Sequence, residues 1–315
     1  MKTGIGKLLQ IAQGDRPMIG ALLLQAAFTD IFVGALELEA NAVFLESFGA
    51  TKEPLGLMIS GAAGILITTV YSYFSKQLGV RAFGIWNLVA VMAMTAALTF
   101  GFLLLEIQQL DFVVFVIAGP IILITLLGFW TTVRGFLSPS RGKQLTGLID
   151  ATLIGGMILS FTITPLLVGI GFKLHNILYV GMGSLFIASG AQLYVLNGIG
   201  KHHHRFKTRV QSTGPLRLFS HKFTGLIAAF ALMGVTVTVL IHYAFLSVTG
   251  SQFPGGIELV TFLGYIFGSM MLLAWLMKRF LFPWVKRKFG MKMTLLLAPV
   301  TLLLFTILSA IAGES

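Results

Sequence analysis

Apolar positions run along this chain in blocks of about twenty residues or more, each closed by glycine, proline or charge. The pattern predicts nine spanning helices, at 17–45, 54–75, 83–105, 112–133, 145–170, 175–197, 223–247, 258–282 and 292–312. Crossing the hydrocarbon of a bilayer takes about 20 mainly apolar residues in a helix. The blocks lack the ten-residue alternation of an outer-membrane barrel, so helices are the spanning element that fits. The expected fold is an all-α, multi-span membrane bundle. Ahead of the first span, Ile5, Leu8, Leu9 and Ile11 with Lys7 form a short amphipathic stretch suited to the membrane interface. Asp15 is placed to cap the first span, and Pro17 suits its first turn. The apolar run that follows is longer than a signal peptide's core and carries acids, so no cleavage is expected.

Composition agrees. Of 315 residues, 56% are hydrophobic and only 10% charged, with 36 glycines and a mean hydropathy of +0.92. A soluble protein carries roughly 25% charge and has too little interior to hide so much apolar surface. A soluble enzyme and a disordered chain are thereby excluded. The absence of cysteine removes disulfides, thiolate metal sites and cysteine nucleophiles. There is no glycine-rich phosphate loop and no nucleophile–base pair, so neither an enzyme nor a cofactor is expected.

The net charge of +11 takes its meaning from where the cations sit. With the N-terminus in the cytoplasm, 20 of the 22 Lys and Arg fall in cytoplasmic segments; only Lys52 and Lys173 do not. The positive-inside rule then sets the topology, with a bacterial inner membrane as the expected location. The basic face is expected to meet anionic lipid rather than nucleic acid. His202, His203 and His204 lie in this basic face, and adjacent residues rarely converge on one ion, so no metal site is expected.

Two short connections match. Lys76-Gln77-Leu78-Gly79-Val80-Arg81 lies between spans 2 and 3, and Arg287-Lys288-Phe289-Gly290-Met291-Lys292 between spans 8 and 9. In each, a glycine is expected to make a tight turn flanked by cations that face helix ends and the membrane surface. Their six-span separation implies a six-plus-six repeat. The expected organisation is an amphipathic N-terminus (1–16), a six-helix bundle (17–197), a basic linker (198–222) and the first three helices of a second bundle (223–315). Spans 10–12 are then expected beyond Ser315.

This layout resembles the major facilitator superfamily, although its motif usually carries an acid where Ser75 precedes Lys76 here. Within 129–169 the chain is similar to the ATP/ADP translocase (nucleotide transporter) family. The residues that carry this are Phe129-Trp130, Ser138-Pro139-Ser140-Arg141-Gly142-Lys143, Leu148-Ile149-Asp150-Ala151, Gly155-Gly156 and Pro165-Leu166-Leu167. The resemblance implies alternating access and, for some members of that family, exchange of ATP for ADP.

Ionisable groups inside spans are functional candidates. Asp30, Glu37 and Asn41 in span 1 fall within about 40° of one another on a helix and form one polar stripe. They are candidates for ion or substrate contact, together with Gln25 and His242. Glu39 falls on the opposite face, near the end of the span, where solvation is the ordinary reading. Asp150 is deep in span 5 and is a candidate partner for Arg134; these two, with Lys76, Gly79, Arg81, Arg287, Gly290 and Lys292, are assigned gating or structural roles. Gly147, Ala151 and Gly155 repeat every four residues and predict a close-packing face. Pro120, Pro165 and Pro299 lie within spans. No Lys or Arg lies deep in a span, so the phosphates of a nucleotide would find no partner there. The expected function is a secondary transporter for a small molecule or ion. The alternatives are a transport-inactive membrane scaffold or sensor that anchors a soluble domain or partner, and a nucleotide exchanger.

Overall fold

The computed structural model describes residues 16–104, 108–136, 139–202, 222–253 and 256–290, with 293–294, 296 and 300–301. Asp15, His203, His204, Lys292 and Pro299, most of the linker and most of span 9 lie outside the described residues, as do the side chains of Arg141, Lys143 and His202. Among the described residues eight helices are long and apolar enough to cross a membrane. They are α1 (Arg16–Phe48), α2 (Glu53–Gln77), α3 (Val80–Leu104), α4 (Gln109–Phe136), α5 (Pro139–Gly169), α6 (Ile177–His202), α7 (Lys222–Gln252) and α8 (Gly256–Leu276). Short 3-10 turns at Ala50–Lys52 and Leu174–Asn176 join α1 to α2 and α5 to α6. The chain is a multi-pass helical bundle by helix length and composition.

Four boundaries differ from expectation by five residues or more; α5 begins early, at Pro139, and α7 runs on to Gln252. Helix α6 runs on to His202, into the segment read as linker. Helix α8 passes through a π-helical turn at Met277–Leu281 and stays helical to Gly290, across the connection expected at 283–291. Lys and Arg are good helix formers, so a basic run does not stop a helix. Gly290 stops it by adopting a left-handed φ of 79°. Gly79 does not share this role. It has no positive φ, a side chain there would meet nothing, and extended Leu78 makes the turn. The two matching hexamers therefore end their helices by different means.

The chain divides into two compact units, Met1–Gly268 and Ser269–Ser315, and the division falls within the helix that α8 begins. In the first unit α1 is central. It buries residues on nearly every side, polar ones included, and packs on α5, α6 and α4. The other close pairings are α2 with α4, α3 with α4 and α3 with α6. Exchanging α1 with α4, α2 with α5 and α3 with α6 maps these pairings onto one another. Helices α1 and α4 are thus corresponding centres of a three-plus-three pattern, which the lesser α4–α6 contact does not follow. One apolar core joins Phe32, Leu36, Ile121 and Leu178; another joins Leu22, Phe129, Ile149 and Val195.

In lipid no hydrophobic gain drives helix on helix, so small residues and polar contacts hold the seams. Between α1 and α5 the contact is backbone-close. A Cβ built at Gly156 would overlap the Ala27 carbonyl oxygen, one at Gly34 would stand 2.8 Å from Ser160 Cβ, and the Ser160 hydroxyl donates to the Ile31 carbonyl at 2.9 Å. The expected face of Gly147, Ala151 and Gly155 is not this seam, since a Cβ at Gly147 or Gly155 meets nothing. The true contact lies one residue further on, a rotation of about 100°.

A polar seam ties α1, α3, α4 and α6. Buried Gln25 donates to Gln192 at 3.2 Å, and Gln192 reaches the Gly84 carbonyl at 3.3 Å and the Thr132 hydroxyl at 3.4 Å. Thr29, Asn87, Thr125 and Ser189 join Gln192 around a cavity of ≈ 20 Å³, enough for about one water. Replacing Gln192 by Leu strands Gln25 in the apolar interior. We expect a stability loss of about 1 kcal/mol, read as a lower melting midpoint in detergent. A Gln25→Leu/Gln192→Leu double variant should regain part of it, because neither donor then lacks a partner.

Unit two carries its cations on helix. Lys288 Nζ lies 5.2 Å from the Trp284 ring centre and 5.4 Å from that of Phe289. A cation above aromatic rings suits a membrane–water interface.

Candidate functional site

The stripe predicted in α1 exists. Asp30 is buried, Glu37 is partly exposed and Asn41 is buried, all on one side of the helix. Asn41 donates to the Glu37 carbonyl at 2.8 Å. Its side-chain oxygen lies 3.3 Å from His242 Nε2 in α7, a pair 201 residues apart in sequence. The stripe therefore turns toward α7, and two of the residues singled out from sequence meet across it.

Asp30 sits within electrostatic reach of Glu37 and of Asp150 in α5. Its Oδ1 is buried without a hydrogen-bond partner. Among the described residues no Lys or Arg is buried. A group of carboxyls in such a place favours protons or cations over anions.

Gln25 does not belong to this group. It points about 140° away from Asp30 around α1 and is only 1% exposed, engaged with α6. Its role is in the interhelical seam. At the end of the bundle that bears Arg16, Lys76, Arg81 and Arg134, hereafter the basic end, Arg81 donates to Asn197 at 2.9 Å and so ties α3 to α6. Lys76 and Arg134 are exposed there, and Asp150 is half-buried. In unit two Arg287 is exposed and bonds its own helix at the Pro283 carbonyl.

Helix α7 packs closely toward one end. Toward the other end of the bundle, which carries Glu46, Glu53 and Asp111, Leu246 is fully buried and Gly250 packs against Leu45 and Ala50. Helix α5 meets α8 at the same end, where Gly264 lies under Pro165 and the Phe161 carbonyl, and Phe161 faces Phe267 at 5.5 Å. Phe44, Phe48, Phe112 and Phe115 form an aromatic cluster, with Phe44 and Phe115 stacked at 4.1 Å. Residues 229–241 of α7, in contrast, are exposed without interruption. Thirteen residues turn through every face of a helix, so the face toward α1 is among those uncovered.

Sequence reading missed the acids at the closed end. Glu39, expected to be solvated, is completely buried, because α1 is central and neighbours cover both of its sides. Glu53 is equally buried in the first turn of α2. Asp111 lies in the first turn of α4 and accepts a hydrogen bond from the Ser47 hydroxyl. His175, from the turn before α6, has Nδ1 4.0 Å from Glu39 Oε1. Nothing in a single helix period shows that a terminal acid will be covered from other elements.

No group of three or more His, Asp or Glu among the described residues is placed to hold a metal ion. No family model, curated protein or solved structure matches the chain.

Proposed function

We propose that this protein is a secondary transporter of major facilitator type that works by alternating access in a bacterial inner membrane, its basic end cytoplasmic. The observation that carries this reading is the acid stripe of α1. It faces α7, closed off at the acidic end by Asn41–His242 and Leu45–Gly250 and uncovered along 229–241 toward the basic end. That is the form expected of a cavity open to one side. The correspondence of α1 and α4 under a three-plus-three exchange supports the same reading, since nested repeats of this kind permit rocking about a central site.

Asp30 and Glu37 are the residues assigned to ion or substrate contact, with Asn41 and His242 above them as the gate. The carboxyls favour a proton or a cationic substrate. Exchange of nucleotides is not favoured, because desolvated phosphates need buried cations and none is found among the described residues.

The natural chain has no cysteine, so paired cysteines report without background. Cysteines at Asn41 and His242 are expected to cross-link. In proteoliposomes with an imposed pH gradient, uptake should be tested with labelled organic cations, amino acids and ATP. Oxidation of the pair should stop accumulation of whichever compound the unmodified protein takes up, and reduction should restore it. Flux through the cross-linked protein at the unmodified rate, or no flux of any compound in the panel, would overturn the reading.

A further inference from the structure

We propose that Glu39 and His175 form a proton-binding pair at the acidic end of the bundle, in which one proton passes between the imidazole and the buried carboxylate. The inference rests on the geometry of these groups and not on the transport reading.

Glu39 is 0% exposed, and neither carboxylate oxygen has a hydrogen-bond partner. Polar groups beside it are His175 Nδ1 at 4.0 Å and the backbone N–H of Leu178. A bare carboxylate in this position is costly unless it is paired with a cation or carries a proton itself. Among the described residues His175 is the one placed beside it to supply the cation. Its side chain is 49% exposed, so one edge of the ring meets the aqueous phase while the other looks inward at Glu39. The ring lies on Phe102, with centroids 4.6 Å apart and planes 23° apart, which fixes its height over the carboxylate.

The remaining charges at this end define the setting. Asp111, from α4, lies within electrostatic reach of both His175 and Glu39; the Ser47 hydroxyl already occupies one of its oxygens. Glu46, Lys173 and Tyr179 are exposed. Glu53 is buried at the start of α2.

The pair then has two states of equal proton content. In one, His175 carries the proton and faces an ionised Glu39. In the other, the Nδ1–H bond has broken, an O–H bond has formed on Glu39, and both groups are neutral. A distance of 4.0 Å is too long for a direct hydrogen bond, so transfer takes a small swing of the ring or one intervening water. The two states differ in how strongly α1 is held to the turn before α6, because only the first contains an ion pair. Protonation from the aqueous phase at His175 is thereby linked to the helix that carries Asp30.

The test reads protonation directly, on the full chain in nanodiscs. Infrared difference spectra between acidic and alkaline buffer should show a protonated-carboxyl band in the unmodified protein that Glu39→Gln abolishes. In His175→Gln, a change at a half-exposed position, this band should no longer respond to pH. The proposal is overturned if Glu39→Gln leaves the difference spectrum unchanged, or if the band keeps its full pH response in His175→Gln. The second variant decides the matter alone if Glu39→Gln does not fold.

Discussion

With Asp30 replaced by Asn, coupled accumulation is expected to fall by at least about tenfold, equivalent to ~1.4 kcal/mol of lost coupling, while the protein assembles normally. Asn matches Asp in size. The Oδ1 of Asp30 has no protein partner, so the change breaks no hydrogen bond there. What it removes is an ionisable group beside Glu37 and Asp150. A structural acid would show the opposite pattern, because loss of a bound partner lowers stability first and activity only as a consequence. The measurement is uptake under an imposed pH gradient alongside a melting curve of the same preparation. Glu46→Gln, at an exposed position on the same helix, serves as the matched control and should change neither. Unaltered uptake by Asp30→Asn with its dependence on the gradient intact would remove Asp30 from the site.

Helix content was legible in the sequence because each apolar run is long and bounded by charge or glycine. Seven of the expected spans coincide with α1 to α7, with most ends within a few residues. The stripe was equally legible, since Asp30, Glu37 and Asn41 are spaced seven and four apart on one helix, and period alone places them together. Its partner was not. His242 stands 201 residues from Asn41, and nothing local announces that they meet. The same holds for Gln25 and Gln192, 167 residues apart. Gln25 read as a candidate for ion or substrate contact because its engagement with α6 is invisible in α1 itself.

Burial of Glu39 escaped for a different reason. Periodicity says which residues share a face but not how many faces are covered, and α1 is covered on nearly all of them. The end of the helix begun by α8 escaped because a change from apolar to basic residues reads as a membrane boundary. The helix itself ends where the backbone turns left-handed, at Gly290. Membrane boundary and helix boundary are separate physical events, and only the first is written in hydropathy.

The adjacent glycines Gly155 and Gly156 carry the sharpest structural expectation. Gly156→Ala should sharply reduce the yield of folded protein, and Gly155→Ala should not. The two changes are chemically identical and one residue apart. At Gly155 the added methyl meets open space. It also improves helix propensity by roughly 1 kcal/mol, so stability should hold or rise. At Gly156 the same methyl would overlap the Ala27 carbonyl oxygen, and backbone has no rotamer into which to retreat. Helices α1 and α5 must then separate, which also pulls the Ser160 hydroxyl from the Ile31 carbonyl and loosens Gly34 from Ser160. Overpacking of this kind costs about 1–3 kcal/mol, and more where the obstacle cannot move. The comparison is made by size-exclusion profile and melting midpoint of the two variants in one detergent. Equal behaviour would mean that α1 and α5 do not touch at Ala27 and Gly156. The stripe of Asp30, three residues along from Ala27, would then lose the support that sets its angle toward α7.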